Sequence, residues 1–161
     1  MFDWRWDFAF EILPRLLQAT LNTLAAAGIG YGIAVVLGLV FALAQRTPSR
    51  FVTLVVRECV EFIRSTPLVL QIFFVFFVGP QFGIRLSPWV AGMIAIGLHY
   101  SAYLSEVYRG GLEAVPKGQW EACTALNLST TKTYFRVIIP QALPPSLAGM
   151  GNYLVGIFKD T

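Results

Sequence analysis

Four apolar stretches, separated by polar breaks, organise the chain. Residues 16–44 are almost wholly apolar, with Gln18, Thr20, Asn22 and Thr23 confined to the start. A helix rising about 1.5 Å per residue needs roughly 20 residues to cross a hydrocarbon core of about 30 Å, so this run predicts a membrane span. Small residues recur in it at spacing four, as Gly28 and Gly32 and as Gly30, Ala34 and Gly38. Such stripes let a second helix approach closely, a packing role rather than a chemical one.

A polar break at 45–50 carries Arg46 and Arg50. The next apolar core, 67–78, is too short to span alone and must borrow from 51–63. There Arg57 and Glu61 stand four apart, and Glu61 and Arg64 three apart, so each pair can meet along one helix. The expected element is a single long helix from about residue 51, kinked at Pro67 and ended by Gly79-Pro80. A connection at 81–87 leads to a third span, 88–109, with Pro88 in its first turn and Gly110-Gly111 closing it. Residues 112–136 are too polar for lipid. A fourth apolar segment, 143–158, follows Pro140, Pro144 and Pro145 and stops at Lys159-Asp160-Thr161.

Composition turns these spans into a class. Of 161 residues, 56% are hydrophobic and only 13% charged, against about 25% charged in an ordinary soluble domain. So few charges cannot cover a water-soluble surface; the fold class expected is all-α integral membrane. Disorder, a collagen repeat and a disulfide scaffold are excluded on the same grounds. Two cysteines, Cys59 and Cys123, and one histidine, His99, offer no metal cluster or disulfide framework, and no cofactor is expected. The first residues carry Asp3, Asp7 and Glu11 without an apolar core, so no cleavable signal is expected and the first span is retained.

Placement of the positive charge sets orientation. Arg46, Arg50, Arg109, Lys117, Lys132 and Arg136 flank spans one and three on one side, with Arg57 and Arg64 nearby. Arg5, Arg15, Arg85 and Lys159 lie on the other. The excess predicts a cytoplasmic 112–136 loop and an external N-terminal segment, 1–15.

That loop carries the most specific pattern. Residues 117–126 predict a short helix with small side chains at Ala122 and Ala125 and an apolar Leu126. Asn127 is suited to the left-handed residue after a helix, and Ser129 to the cap of a second short helix that stops before Pro140. Two short helices on a cytoplasmic loop make a knob for a groove on another protein; the competing structural reading is a helix lying on the membrane surface.

Glu121-Ala122-Cys123, then Asn127, then Ile138-Ile139-Pro140 resembles the EAA loop of ABC-importer permeases, whose pattern is Glu-Ala-Ala, three residues, Gly, then Ile-x-Leu-Pro. Cys123 replaces the second Ala and Asn127 the Gly. The text around Arg64-Ser-Thr-Pro-Leu68, Gln71, Tyr103-Leu-Ser-Glu106, Arg109-Gly-Gly, Gly151-Asn152 and Lys159-Asp-Thr is similar to the polar-amino-acid subfamily. His99-Tyr100, Gln119-Trp120-Glu121, Ala125-Leu-Asn-Leu128 and Gly151-Asn-Tyr-Leu154 look most like its ectoine and hydroxyectoine permeases.

The resemblance implies a type I importer transmembrane domain over 16–161, with a coupling loop at 112–140. Gly118, Glu121, Ala122, Cys123, Ala125, Leu126, Asn127, Ile138 and Pro140 would belong to that loop. About four spans are present; family members place a fifth helix after Lys-Asp-Thr, so one C-terminal helix is expected to be missing. It implies as partners a cytoplasmic ATPase dimer, a second permease subunit (identical or related), an external solute-binding protein and membrane lipid, and no nucleic acid. The location implied is the bacterial inner membrane.

No GxxxxGK[ST] pattern occurs, and no catalytic triad or carboxylate pair stands in a plausible aqueous site. ATP hydrolysis, if it drives this chain, belongs to a partner. The rival readings are a secondary transporter or channel, which would need inverted repeats or a coupling carboxylate at midplane, and a membrane enzyme, which would need a catalytic constellation. The third span has its midpoint near His99; His99, Tyr103 and Glu106 share one helical face as candidate path residues, with Asn152 a weaker one. Against that stand a His99 bonded merely to a neighbouring helix and a Glu106 paired with Arg109.

Overall fold

The computed structural model describes residues 5–161. Helix α1, Trp6–Ala44, is far longer than its apolar run and passes through Pro14. Trp6, Phe8, Phe10 and Leu13 extend its exposed apolar surface before the run begins. The segment expected as a separate external piece, 1–15, is therefore mostly helical; its first four residues lie outside the described ones.

The second element departs from the expected kinked rod. α2, Arg50–Ser65, starts at Ser49, whose side chain accepts from the Val52 N–H. It breaks at Thr66-Pro67, and α3, Leu68–Phe73, continues into a π-turn, Phe74–Val78, and a 3₁₀ turn, Gly79–Phe82. The bend across the break is 107°. The physical reason is at the break itself. Pro67 has no N–H and forces Thr66 into extended backbone, φ −101° and ψ 130°. The Gln71 amide then donates to the freed carbonyls of Ile63 (2.8 Å) and Thr66 (3.1 Å). Gly79-Pro80 does not end the element; Gly83, with φ 79°, does.

α4, Pro88–Glu113, has Pro88 in its first turn and a Ser87 cap on the Val90 N–H. It runs through Gly110-Gly111 rather than stopping there. A Cβ on Gly111 would collide with the Ser146 hydroxyl and sit 2.9 Å from the Ala142 carbonyl. This glycine lets two helices cross; it does not end one. After α5, Lys117–Ala125, and the single turn α6, Thr130–Lys132, a π-turn over Thr133–Ile138 leads without a stop into α7, Ile139–Asp160. The second loop helix thus does not end before Pro140. Ile139 donates to Tyr134, five residues back, and Pro140 falls in the first turn of α7, where its missing N–H costs little. Ser129 precedes α6 without a side-chain capping bond.

α1 packs along α4, and α4 along α7. The interface on α1 is the stripe Ala26, Gly30, Ala34, Gly38 and Ala42, all buried. A Cβ on Gly38 would lie 2.9 Å from both Leu104 Cβ and the Ser101 carbonyl. Gly28 and Gly32 face open space, so only one of the two small-residue series is an interface. Ala27, Ala34, Ile96, Tyr100, Leu104 and Ile157 form the core between these three helices.

Among the described residues α1 is the one helix that is long and apolar enough by itself to cross a membrane; α2 and the α3 segment qualify as a bent pair. α4 and α7, at 26 and 22 residues, are about 39 and 33 Å long and match the bilayer core in length.

Candidate functional site

Two regions carry the residues singled out in the sequence. The first is the loop helix α5. Its end is a complete Schellman turn: Leu128 donates to the Cys123 carbonyl (3.0 Å) and Asn127 to that of Thr124 (2.9 Å). Asn127 takes the left-handed conformation at φ 52°, as expected of a residue standing where the pattern has Gly. Cys123 is buried, and Ile138 is fully buried with Val115 and Ala142. Gly118, Glu121, Ala122, Ala125 and Leu126 are all exposed, Leu126 to 71%. The group therefore divides into anchors that hold α5 and a small-residue face with one protruding leucine. Pro140 is exposed at the start of α7 and lies in neither set.

Trp120, present in the sequence reading only as part of Gln119-Trp120-Glu121 and given no role there, ties the loop to the rest. Its ring meets Tyr134 edge-on at 5.4 Å and packs on the Ile138 cluster. The Arg46 guanidinium, from the polar break after α1, stands 5.7 Å over the same ring. Gln141 donates to Gln119 at 3.2 Å, joining α7 to α5.

The second region is the α4 face. His99 and Tyr103 are adjacent there, ring centroids 5.1 Å apart. Glu106 does not join them: its carboxylate accepts from Arg109 Nη2 at 2.6 Å, and Arg109 Nη1 donates to Glu113 at 2.7 Å. Asn152 is exposed and makes none of the ring contacts. Its neighbour Tyr153 does, lying 5.4 Å from Tyr103 and 6.1 Å from Tyr100. The Tyr100 hydroxyl donates to Asp160 Oδ2 at 2.6 Å. Four aromatic rings and one carboxylate thus converge where α7 crosses the middle of α4. The pattern of α4 alone could not reveal Tyr100, Tyr153 and Asp160 as partners, because the pairing depends on the α4–α7 crossing. Aromatic faces with a carboxylate form an environment for an ammonium or other organic cation. His99 Nδ1 is buried and without a hydrogen-bond partner among the described residues.

A helical bundle with a polar cluster between helices and a knob on its loop fits a membrane transport component. Residues 34–161 match the family described as "Binding-protein-dependent transport system inner membrane component", and the chain belongs to that family. A protein of Sinorhizobium fredii named as a probable amino-acid ABC transporter permease, y4tG, is 44% identical over 99% of this chain and 72% of its own length. The L-cystine transport system permease TcyB of Bacillus subtilis is 35% identical, over 97% of this chain and 67% of its own. The nopaline transport system permease NocM of Agrobacterium fabrum is also 35% identical, over 94% and 67%. Among solved structures, that of "an amino acid ABC transporter with histidines" superposes with a TM-score of 0.90 at 30% identity, over 99% of this chain and 74% of that one. The MetNI methionine ABC transporter, at 18% identity and a TM-score of 0.78, shares the fold. The chain is an ABC importer permease of the polar amino acid family, with the fold of a type I importer transmembrane domain.

Proposed function

We infer that this permease moves a zwitterionic amino acid or amino-acid-like compatible solute into the cell, and that its loop helix α5 receives the thrust of a separate ATPase dimer. The observation that carries the solute class is the cluster of His99, Tyr100, Tyr103 and Tyr153 with the Asp160 carboxylate bonded to Tyr100 at its edge. A carboxylate inside a bilayer is costly and is kept where it serves a path, and aromatic faces stabilise an organic cation. The relatives named for L-cystine and nopaline support an amino-acid cargo, and within that class ectoine and hydroxyectoine are the solutes favoured by the sequence resemblance.

The exposed face of Gly118, Glu121, Ala122, Ala125 and Leu126 is the docking surface in this reading, with Cys123, Ile138 and the Asn127 turn setting its position and Pro140 starting α7 behind it. It faces the cytoplasm, the N-terminal end of α1 faces outward, and a second permease subunit and an external solute-binding protein complete the importer. His99 and Tyr103 line the path; Glu106 serves it through its pair with Arg109, and Asn152 sits at its margin.

The test is uptake of labelled ectoine, L-glutamine, L-arginine and L-glutamate into vesicles. These hold the whole importer with its ATPase and binding protein, with ATP inside or absent, and wild type is compared with Glu121→Arg. ATP-dependent uptake of one of these solutes, abolished by Glu121→Arg, is the expected result. Uptake indifferent to ATP and to Glu121 would favour the secondary transporter.

A further inference from the structure

A polar chamber lies further along α4 from the aromatic cluster, where Glu106 and Arg109 face α2. It is an open cavity of about 450 Å³ between the end of α1, the C-terminal half of α2 and α4, a volume in the range of small-molecule sites. Its two charged walls differ. On α4, Arg109 is held by both Glu106 and Glu113, so its guanidinium is already paired. On α2, Arg57 has no ion pair among the described residues, and Arg64 meets Glu61 only at 3.5 Å. Two donors at the chamber, Arg64 Nε and Gln45 Nε2, are buried and have no hydrogen-bond partner among the described residues. The exposed Arg57 guanidinium and the unpartnered Arg64 Nε–H and Gln45 amide, lining one open cavity, are suited to a carboxylate, which takes paired N–H groups in its own plane.

Tyr103, a member of the aromatic cluster, connects it to the chamber through Arg64. Its ring faces His99 and Tyr153 at 5.1 and 5.4 Å, the Arg64 guanidinium stands 5.4 Å over it, and its hydroxyl donates to the Arg64 carbonyl at 3.2 Å. We propose that the chamber is a second, inner station for the solute, in which its carboxylate is taken by Arg57, Arg64 and Gln45 after passing Tyr103. This rests on the zwitterion-importer reading above and adds to it the half of the solute that the aromatic cluster leaves unrecognised.

Two measurements test it, and only one requires transport. In the full-length chain carrying Cys59→Ser, with Cys123 buried, Gln45→Cys is exposed to methanethiosulfonates bearing a sulfonate or a trimethylammonium group. The anionic reagent should react at least fivefold faster, and the preference should vanish in Arg57→Gln/Arg64→Gln. Equal rates in the starting chain would overturn the site. In the vesicle assay, with the solute that wild type takes up, Arg57→Gln and Arg64→Gln should each raise KM tenfold or more, and Lys at either position should recover part of it. An unchanged KM overturns the inner station while leaving the importer intact. Absence of any uptake in wild type fails the importer reading, and the labelling preference still decides the chamber. Both are run in phosphatidylcholine alone and with anionic lipid; a labelling preference abolished by anionic lipid assigns the site to a headgroup phosphate and overturns the solute proposal.

Discussion

Tyr100, in the middle of α4, donates its hydroxyl to Asp160, in the last turn of α7, at 2.6 Å. Tyr100 is itself buried, and Gly156, one turn before Asp160, leaves the room its ring needs: a Cβ there would lie 3.0 Å from the Tyr100 hydroxyl. The carboxylate is thereby held beside the aromatic cluster. A hydrogen bond to a charged group contributes about 1.5–3 kcal/mol. Asp160→Asn, which keeps the bond but removes the charge, should raise the KM for uptake at least tenfold. Tyr100→Phe, which keeps the charge but frees it, should raise KM by less. An Asp160→Asn importer with wild-type KM would remove this carboxylate from solute recognition.

The contrast between two glycines of α1 gives a stability prediction. Gly38 has the Leu104 Cβ and the Ser101 carbonyl at 2.9 Å from where its Cβ would be, and Gly32 has nothing. Overpacking a tight contact costs about 1–3 kcal/mol, whereas Gly to Ala on an open helix face gains up to about 1 kcal/mol in propensity. In detergent, Gly38→Ala should lower the unfolding midpoint and Gly32→Ala should hold or raise it. Equal effects would mean that α1 does not meet α4 on this stripe.

Those two positions also show what the sequence could and could not reveal. The spacing of four was visible in both small-residue series, but which of them meets α4 depends on the rotation of α1, and apolar residues surround the helix on every side. Local geometry was legible wherever one residue decides it: Asn127 is left-handed, Pro88 opens α4, and Glu106 pairs with Arg109. Gly110-Gly111 and Pro140 read as stops because glycine and proline end helices in water. Here Gly111 serves a helix crossing and Pro140 follows a π-turn, which only the tertiary arrangement explains. The 107° elbow was foreshadowed by Pro67 alone; its size depends on Gln71 reaching back to two carbonyls.

That elbow is itself open to test. Gln71→Leu keeps the bulk and removes both donors, leaving the Thr66 carbonyl without its side-chain partner and the Ile63 carbonyl with only the 3.3 Å bond from the Thr66 N–H. An unsatisfied buried polar group costs about 1–3 kcal/mol, and membrane hydrogen bonds fall at the low end of such values. Gln71→Leu should lower the unfolding midpoint, and Gln71→Glu should lower it too, because its oxygens can only repel those carbonyls. A Gln71→Leu chain as stable as wild type would show that water or a neighbouring helix satisfies the break.

If α5 receives the ATPase as proposed, the turn at Asn127 bears on coupling. Its left-handed backbone is what lets Leu128 and Asn127 donate back into α5, and those two bonds fix where the exposed Leu126 points. A left-handed residue costs an ordinary side chain about 1–2 kcal/mol, and a β-branched one most of all. Asn127→Gly should therefore leave ATP-driven uptake at wild-type level or slightly above it. Asn127→Val should open the turn, displace Leu126 and cut uptake severalfold. The distant α1–α4–α7 core does not involve this residue, so the unfolding midpoint should barely move while ATP hydrolysis loses its response to solute. Measuring uptake and solute-stimulated ATPase activity side by side separates the outcomes. If Asn127→Val lowers both stability and uptake together, the turn supports the fold; if it lowers neither, α5 finds its position through Trp120 and Arg46 alone.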